Sequence, residues 1–159
     1  MSSFRSFSLA ASVLLAAAVP AASSGQDFNA TPNYGTLNLR TGFTPDPNVI
    51  RVQSGGSLNA ATIDSSCAGF ITAAPDVRLV YTAGSLPLII SVASSADTTL
   101  VVNGPDGRWY CDDDGGANGL NPALRFNHPA SGRYEIWVGT YGRATLQRAR
   151  LSISELTSQ

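Results

Sequence analysis

The sequence contains no lysine, one histidine and two cysteines among its 159 residues, and only 13% of its residues are charged. Without lysine, the chain cannot form a Schiff base, a lysine-bearing phosphate loop or a Ser-Lys dyad. One histidine is too few for a metal site built from several imidazoles. The net charge of -1 argues against nucleic-acid binding, which requires a concentrated basic face.

The first 25 residues have the layout of a secretory signal peptide. Arg5 supplies the positive charge, and the apolar run over residues 9–19 is shorter than the roughly 20 residues of a membrane span. We therefore expect a secreted or periplasmic protein with no membrane span after cleavage. Residues 26–35 are predicted to be a polar lead-in, and residues 36–157 a single domain.

The two cysteines predict a disulfide. Cys67 and Cys111 are an even pair in a chain bound for an oxidising compartment. In the loop-entropy model, closing a loop of this length stabilises a fold by about 4 kcal/mol. The alternative is a thiolate that acts as a nucleophile or as a metal ligand.

From Asn33 onward, apolar and polar residues alternate in short runs that glycine, proline, asparagine and aspartate separate. The alternation is clear over residues 77–81, 134–138 and 145–154, and it is typical of strands that bury one side. The run over residues 86–93 is nearly all apolar, which indicates a strand covered on both faces. No helical period is apparent after the signal. The sequence therefore predicts an all-β protein, a sandwich or a barrel. Two antiparallel sheets packed face to face explain the alternation, because each strand then buries one side.

An acidic, glycine-rich loop follows the second cysteine. Asp112, Asp113 and Asp114 are adjacent, and Asn118 follows them, while the predicted hairpin brings Asp97 to the same place. Oxygen ligands in a flexible loop suit Ca²⁺, so these five residues form a predicted calcium site. The spacing fails the EF-hand template, and the alternative is a solvated loop whose aspartates form turns.

Four aromatic residues are candidates for a binding surface: Trp109, Tyr110, Trp137 and Tyr141. Alternation places Trp137 and Glu135 on the face opposite the core residues of the same strand. Exposed tryptophan and tyrosine often mark recognition surfaces. The alternative is that Trp137 belongs to the core of a second layer.

We find no catalytic constellation in the sequence. The single histidine, His128, lies three residues before Ser131 across a proline turn, which is an implausible geometry for a nucleophile and its base. No Gly-x-Ser-x-Gly motif occurs. The sequence predicts a protein that is not an enzyme.

Segments between residues 75 and 155 follow the pattern Asp-Thr-x-Leu, Pro-Asp-Gly, Asp-Asp and Ser-Gly-x-Tyr. The segments are residues 75–79, 97–107, 111–114, 121–122 and 131–141. Together they resemble the bacterial pre-peptidase C-terminal domain family. The resemblance implies a secreted β-sandwich of jelly-roll type, usually appended to a protease, that aids secretion, localisation or substrate attachment. We expect a standalone module, because no peptidase domain precedes it in this sequence.

These observations predict a secreted, non-catalytic binding module that attaches to an extracellular polymer or a protein partner, with Ca²⁺ as its one candidate cofactor. Two alternatives remain open. One is a small secreted hydrolase with an unrecognised site, and the other is a structural envelope protein without a ligand.

Overall fold

The computed structural model describes residues 25–159, so the predicted signal peptide lies outside the described residues except for Gly25. This part of the chain forms eleven strands and one short 3-10 helix, Ala60–Thr62. The strands are β1 (Thr36–Arg40), β2 (Asn48–Ser54), β3 (Leu58–Asn59), β4 (Phe70–Ile71), β5 (Val77–Thr82), β6 (Leu88–Ser94), β7 (Thr98–Asn103), β8 (Trp109–Asp112), β9 (Ala123–Phe126), β10 (Gly132–Thr140) and β11 (Gln147–Ser154). Within residues 25–159, no helix is long and apolar enough to cross a membrane.

Two sheets pack face to face. Sheet B has the order β2-β11-β6-β9, and sheet A has the series β5-β10-β7-β8 at its centre. This is the strand order of a jelly roll, in which two Greek keys divide eight strands between two sheets. Strands β1, β4 and β3 extend sheet A to seven strands. The predicted fold class, an all-β sandwich of jelly-roll type with one disulfide, is confirmed.

One strand pair departs from the antiparallel prediction. Strand β1 runs parallel to β5, with Thr36 opposite Arg78. The backbone of the lead-in explains this direction, because Asn33 N donates to Pro75 O at 2.9 Å and Tyr34 N donates to Asp76 O at 2.8 Å. These bonds lay the lead-in beside the residues that enter β5, so β1 continues alongside in the same direction.

The predicted alternation places the main core between the sheets. Apolar residues on the inner faces are fully buried, among them Leu79, Tyr134, Ile136 and Leu151. Strand β6 is covered on both faces, as its apolar run predicts. Its outward residue Ser91 lies beneath the end of the chain, since Gln159 N donates to Ser91 Oγ at 3.0 Å.

The outer face of sheet A is covered by a segment of its own chain. This segment, residues 55–75, contains β3, the 3-10 helix and β4, and it forms a second small core with β7, β8 and β10. The buried members of that core are Ala60, Cys67, Ile71, Val101 and Trp137. The predicted disulfide joins Cys67 of this segment to Cys111 of β8, with a Cα–Cα distance of 5.1 Å. It therefore fastens the cover to the sheet.

A buried carboxyl group fills a gap in the ladder of β10. Strand β5 pairs with β10 up to Ile136 and β4 pairs at Thr140, which leaves the amide of Val138 between them without a strand partner on that side. Val138 N instead donates to Asp76 Oδ2 at 2.8 Å, and Asn33 Nδ2 donates to Oδ1 at 3.1 Å. Burial raises the pKa of Asp76 from 3.8 to about 6, although both hydrogen bonds oppose the shift.

The raised pKa of Asp76 predicts a pH-dependent stability. Folding favours the protonated carboxyl, so its stabilising contribution is present below pH 4 and is lost as the pH rises through about 6. In urea titrations, the free energy of unfolding of the wild type should fall by about 2 kcal/mol relative to Asp76→Asn between pH 4 and pH 7. Because the two proteins share all other titratable groups, the difference between their free energies of unfolding removes the contribution of those groups. Parallel pH profiles for the two proteins would contradict this assignment.

Candidate ligand-binding groove

The acidic loop uses its first aspartate to hold its own backbone. Asp112 Oδ2 accepts hydrogen bonds from Gly115 N at 2.7 Å and from Ala123 N at 2.8 Å. The carboxylate thereby closes the loop between β8 and β9. This is the turn-forming role that the alternative interpretation assigns to aspartates of this loop.

The predicted hairpin brings Asp97 near the other two aspartates. Partial burial, followed by the charges of Asp114 and Asp113, raises the pKa of Asp97. Asn118 contributes its backbone carbonyl to an internal bond, accepting from Asn121 Nδ2 at 3.2 Å. Among residues 25–159, no group of three or more histidine, cysteine, aspartate or glutamate side chains is arranged to hold a metal ion. Calcium binding at this loop stays a prediction.

The assignment of Trp137 to an exposed binding surface is wrong. Its side chain is 0% exposed, because the 55–75 segment covers the face of sheet A to which it points. Glu135, two residues earlier on the same face, is also buried and pairs with Arg78 and Arg133, with Nε–Oε1 distances of 2.5 and 3.0 Å. The alternative interpretation, a second core layer, describes Trp137 correctly.

The three other aromatic candidates do not form one surface. Trp109 is half-buried against the ring of Trp137, with a centroid distance of 5.5 Å. Tyr110 points to the opposite face of β8, where its ring packs edge-on against Phe126 at 5.0 Å. Tyr141 is exposed, but it follows the far end of β10.

Strand register separates Tyr141 from Trp109. Trp109 lies opposite Asn103 on β7, whereas the residue before Tyr141 lies opposite Thr98. Five residues of strand correspond to roughly 17 Å. A ligand that contacts both residues would have to span that distance along sheet A.

A concave site lies instead on the outer face of sheet B. It is a groove of about 780 Å³ whose floor is formed by β2, β11 and β6. Its lining includes Arg51, Gln53, Ala93, Ser95, Arg148 and Arg150. A second groove of about 540 Å³ shares Arg51 and Arg150 with the first and extends past the β2 edge to Leu37. The two arginines therefore stand where the grooves meet.

Strand register concentrates positive charge in this groove. Arg51 lies directly opposite Arg150, and Arg148 is two residues from Arg150 on the same face of β11. All three side chains are exposed. The ion pairs among residues 25–159 involve other arginines: Arg78, Arg108 and Arg133. The arginines of the groove thus have no carboxylate partner within the part of the chain that the structure describes.

Hydrogen bonds fix the rim of the groove. Tyr34 Oη accepts from Gln53 N at 2.8 Å, which anchors the lead-in at the edge of β2. On the opposite side, Asn121 Nδ2 donates to Ser94 O at 3.0 Å, and Ser94 Oγ donates to Arg148 O at 2.8 Å. The floor and rim are therefore held in place before any ligand arrives.

Sequence reasoning missed this groove. The signal for it is the Arg-Ala-Arg alternation of β11, which places two arginines on the face opposite the core residues Ala149 and Leu151. The position of Arg51 beside them depends on the pairing of β2 with β11.

No family model matches the sequence, and no curated protein matches it. Among solved structures, the fold is similar to PliG of Aeromonas hydrophila, a periplasmic inhibitor of g-type lysozyme. The TM-score is 0.41 with 13% identity, over 75% of this chain and 96% of that chain. This level of similarity carries no inference about what this chain binds.

The burial of Trp137 predicts a contrast between two aromatic substitutions. Trp137→Ala should lower the free energy of unfolding by about 3–5 kcal/mol, because it empties the second core. Tyr141→Ala, at an exposed turn, should change it by less than about 0.5 kcal/mol. Chemical denaturation measures both. If Trp137→Ala does not fold, Trp137→Phe should show a smaller loss in the same direction. Equal stabilities for all variants would refute the second core.

Proposed function

We propose that this protein is a secreted, non-catalytic binding module that attaches to an extracellular polymer or protein through the groove on sheet B. The groove carries the proposal. Its volume of about 780 Å³ falls within the roughly 300–1,000 Å³ range of ligand sites. Its lining consists of arginine, amide, hydroxyl, tyrosine and small apolar side chains.

The chemistry of this lining supports binding over catalysis. A serine hydroxyl becomes a nucleophile when a neighbouring base activates it. Ser94 and Ser95 line the groove, but its lining includes no histidine, carboxylate or lysine to serve as that base. Guanidinium and amide groups orient and hold a ligand through hydrogen bonds, which is what an attachment module requires.

Two further features support export and attachment. The disulfide between Cys67 and Cys111 is suited to the periplasm or the extracellular space, where such bonds persist. The jelly-roll sandwich is the fold that a resemblance to the pre-peptidase C-terminal domain family implies. We accordingly propose an attachment role of the kind found in that family.

The groove can be tested by filling it without a change of charge. Ala93 lies on its floor beside Arg150, so Ala93→Phe places a ring in the cavity. Val80→Phe, at an exposed position of sheet A, is the matched control. The purified, oxidised protein should be retained saturably on one or more of peptidoglycan sacculi, cellulose, gelatin and polygalacturonate. Ala93→Phe should abolish that retention, and Val80→Phe should preserve it.

Other results would reject the proposal. Absence of saturable retention on every one of these polymers would favour a structural envelope protein. Retention that survives Ala93→Phe would place the binding site elsewhere. Release of soluble fragments from a polymer by the wild-type protein would instead support the hydrolase alternative.

We also propose that Ca²⁺ stabilises the acidic loop. The proximity of Asp97 to Asp113 and Asp114 supports the proposal, because a divalent cation would relieve the repulsion among these carboxylates. Millimolar CaCl₂ should raise the melting temperature by several degrees over EDTA, as expected for a ligand near 100 times its Kd. Asp114→Asn should remove the rise, and Asp27→Asn should keep it. If CaCl₂ does not change the melting temperature of the wild type, the proposal is wrong and the loop is solvated without a bound cation.

A further inference from the structure

We propose that the ligand of the sheet B groove is a carboxylate-bearing polysaccharide, a chain of uronic acid sugars, held by Arg51, Arg148 and Arg150. This inference rests on the proposed function and names the ligand class of the same site.

The three arginines form a compact cluster of positive charge. Arg51 and Arg150 are cross-strand partners, so their Cα atoms lie about 5 Å apart. Arg148 and Arg150 are separated by one pleat of β11, or about 7 Å. Like charges directly opposite each other destabilise a sheet unless something neutralises them.

The described part of the chain supplies no carboxylate that pairs with this cluster. On sheet A, by contrast, arginines do have an internal partner: the buried carboxylate of Glu135 contacts both Arg78 and Arg133. Within residues 25–159, no comparable carboxylate reaches the arginines of the groove. An anionic ligand would supply the missing partner.

The remaining lining suits the hydroxyl groups of sugars. Exposed amide and hydroxyl groups line the groove, on the side chains of Gln53, Ser95 and Asn118. Tyr34 Oη accepts a bond from Gln53 N, which leaves its proton available to a ligand. A stable protein contact uses about 20–30 residues on each side. Twelve residues line this groove, which is nearer the size of a site for a sugar chain.

The shape of the site suits a polymer. The two grooves share Arg51 and Arg150, so the arginine pair lies in the middle of a longer cleft. That cleft runs from the loop at Asn118 across sheet B, past the β2 edge, to Leu37 of β1. A chain lying along it would place one carboxylate at Arg148 and Arg150 of β11 and another at Arg51 of β2.

The arginine side chains of the groove suit carboxylate recognition. The planar fork of arginine pairs with a carboxylate through two parallel hydrogen bonds. The same fork binds phosphate, so the amide and hydroxyl groups beside the arginines decide for a carboxylated sugar. A phosphate polymer is one outcome of the test.

The experiment measures binding of hexamers of galacturonic acid and of mannuronic acid by isothermal titration calorimetry. The fully methyl-esterified galacturonate hexamer is the matched ligand, because it keeps the sugar and removes the charge. We expect binding of an acidic hexamer, loss of binding on esterification, and weakening as salt is raised. Polyglutamate and polyphosphate of similar length complete the set of probes.

Three variants locate the contact. Arg150→Gln should weaken binding by about tenfold or more, since it removes a charge-assisted bidentate contact. Arg150→Lys should recover only part of the loss, because it restores the charge without the planar fork. Arg143→Gln, at an exposed loop outside the groove, should bind as the wild type does. Unchanged melting temperatures establish that each variant is folded.

The outcomes separate this inference from the proposed function. The inference is wrong if neither acidic hexamer binds, or if the esterified hexamer binds equally well. In either case, polymer retention that is lost in Ala93→Phe would still support the groove as the binding site. Equal or tighter binding of polyglutamate or polyphosphate would replace the sugar by an acidic peptide or a phosphate polymer. If Arg150→Gln and Ala93→Phe both bind the acidic hexamer with the affinity of the wild type, the inference is overturned and the ligand binds outside the groove.

Discussion

The covalent link between Cys67 and Cys111 holds a cover over one face of the sandwich. It ties the 55–75 segment to β8, so that the segment covers the apolar outer face of sheet A at Val101 and Trp137. Without this cover, a tryptophan and an apolar strand face would be exposed to water. The groove described above lies on the other sheet, sheet B.

Sheet B is itself divided into a covered half and an open half. The end of the chain returns over Ser91, and the Asp46 carboxylate receives Ser154 Oγ at 2.5 Å and Glu155 N at 2.9 Å. These bonds bury the C-terminal half of β11, while its N-terminal half exposes Arg148 and Arg150. Core and groove share this strand, so a slip of one residue would move both arginines into the interior.

The strand pattern was predictable because burial of one face leaves a period of two in the sequence, as residues 77–81 and 134–138 show. The burial of Trp137 was not predictable. Alternation separates the two faces of a strand, but it does not reveal what covers the second face. The covering strands β3 and β4 have two residues each, too few for a periodic signal. The groove escaped prediction because Arg51 and Arg150 meet only through a strand pairing between distant parts of the chain.

The placement of charge in this molecule favours a ligand role for the groove over a purely structural one. Only 13% of the residues are charged, yet three of the ten basic residues meet on one face, two of them directly opposite each other. Repulsion between two arginines that face each other lowers the stability of the sheet, so fold stability alone does not explain why they are paired. The acidic loop borders the groove at Asn118, where its carboxylates would repel an anion. A polyanion of the kind proposed above would therefore lie toward the β2 side of the cleft, and a cation at that loop would extend the surface on which it could bind.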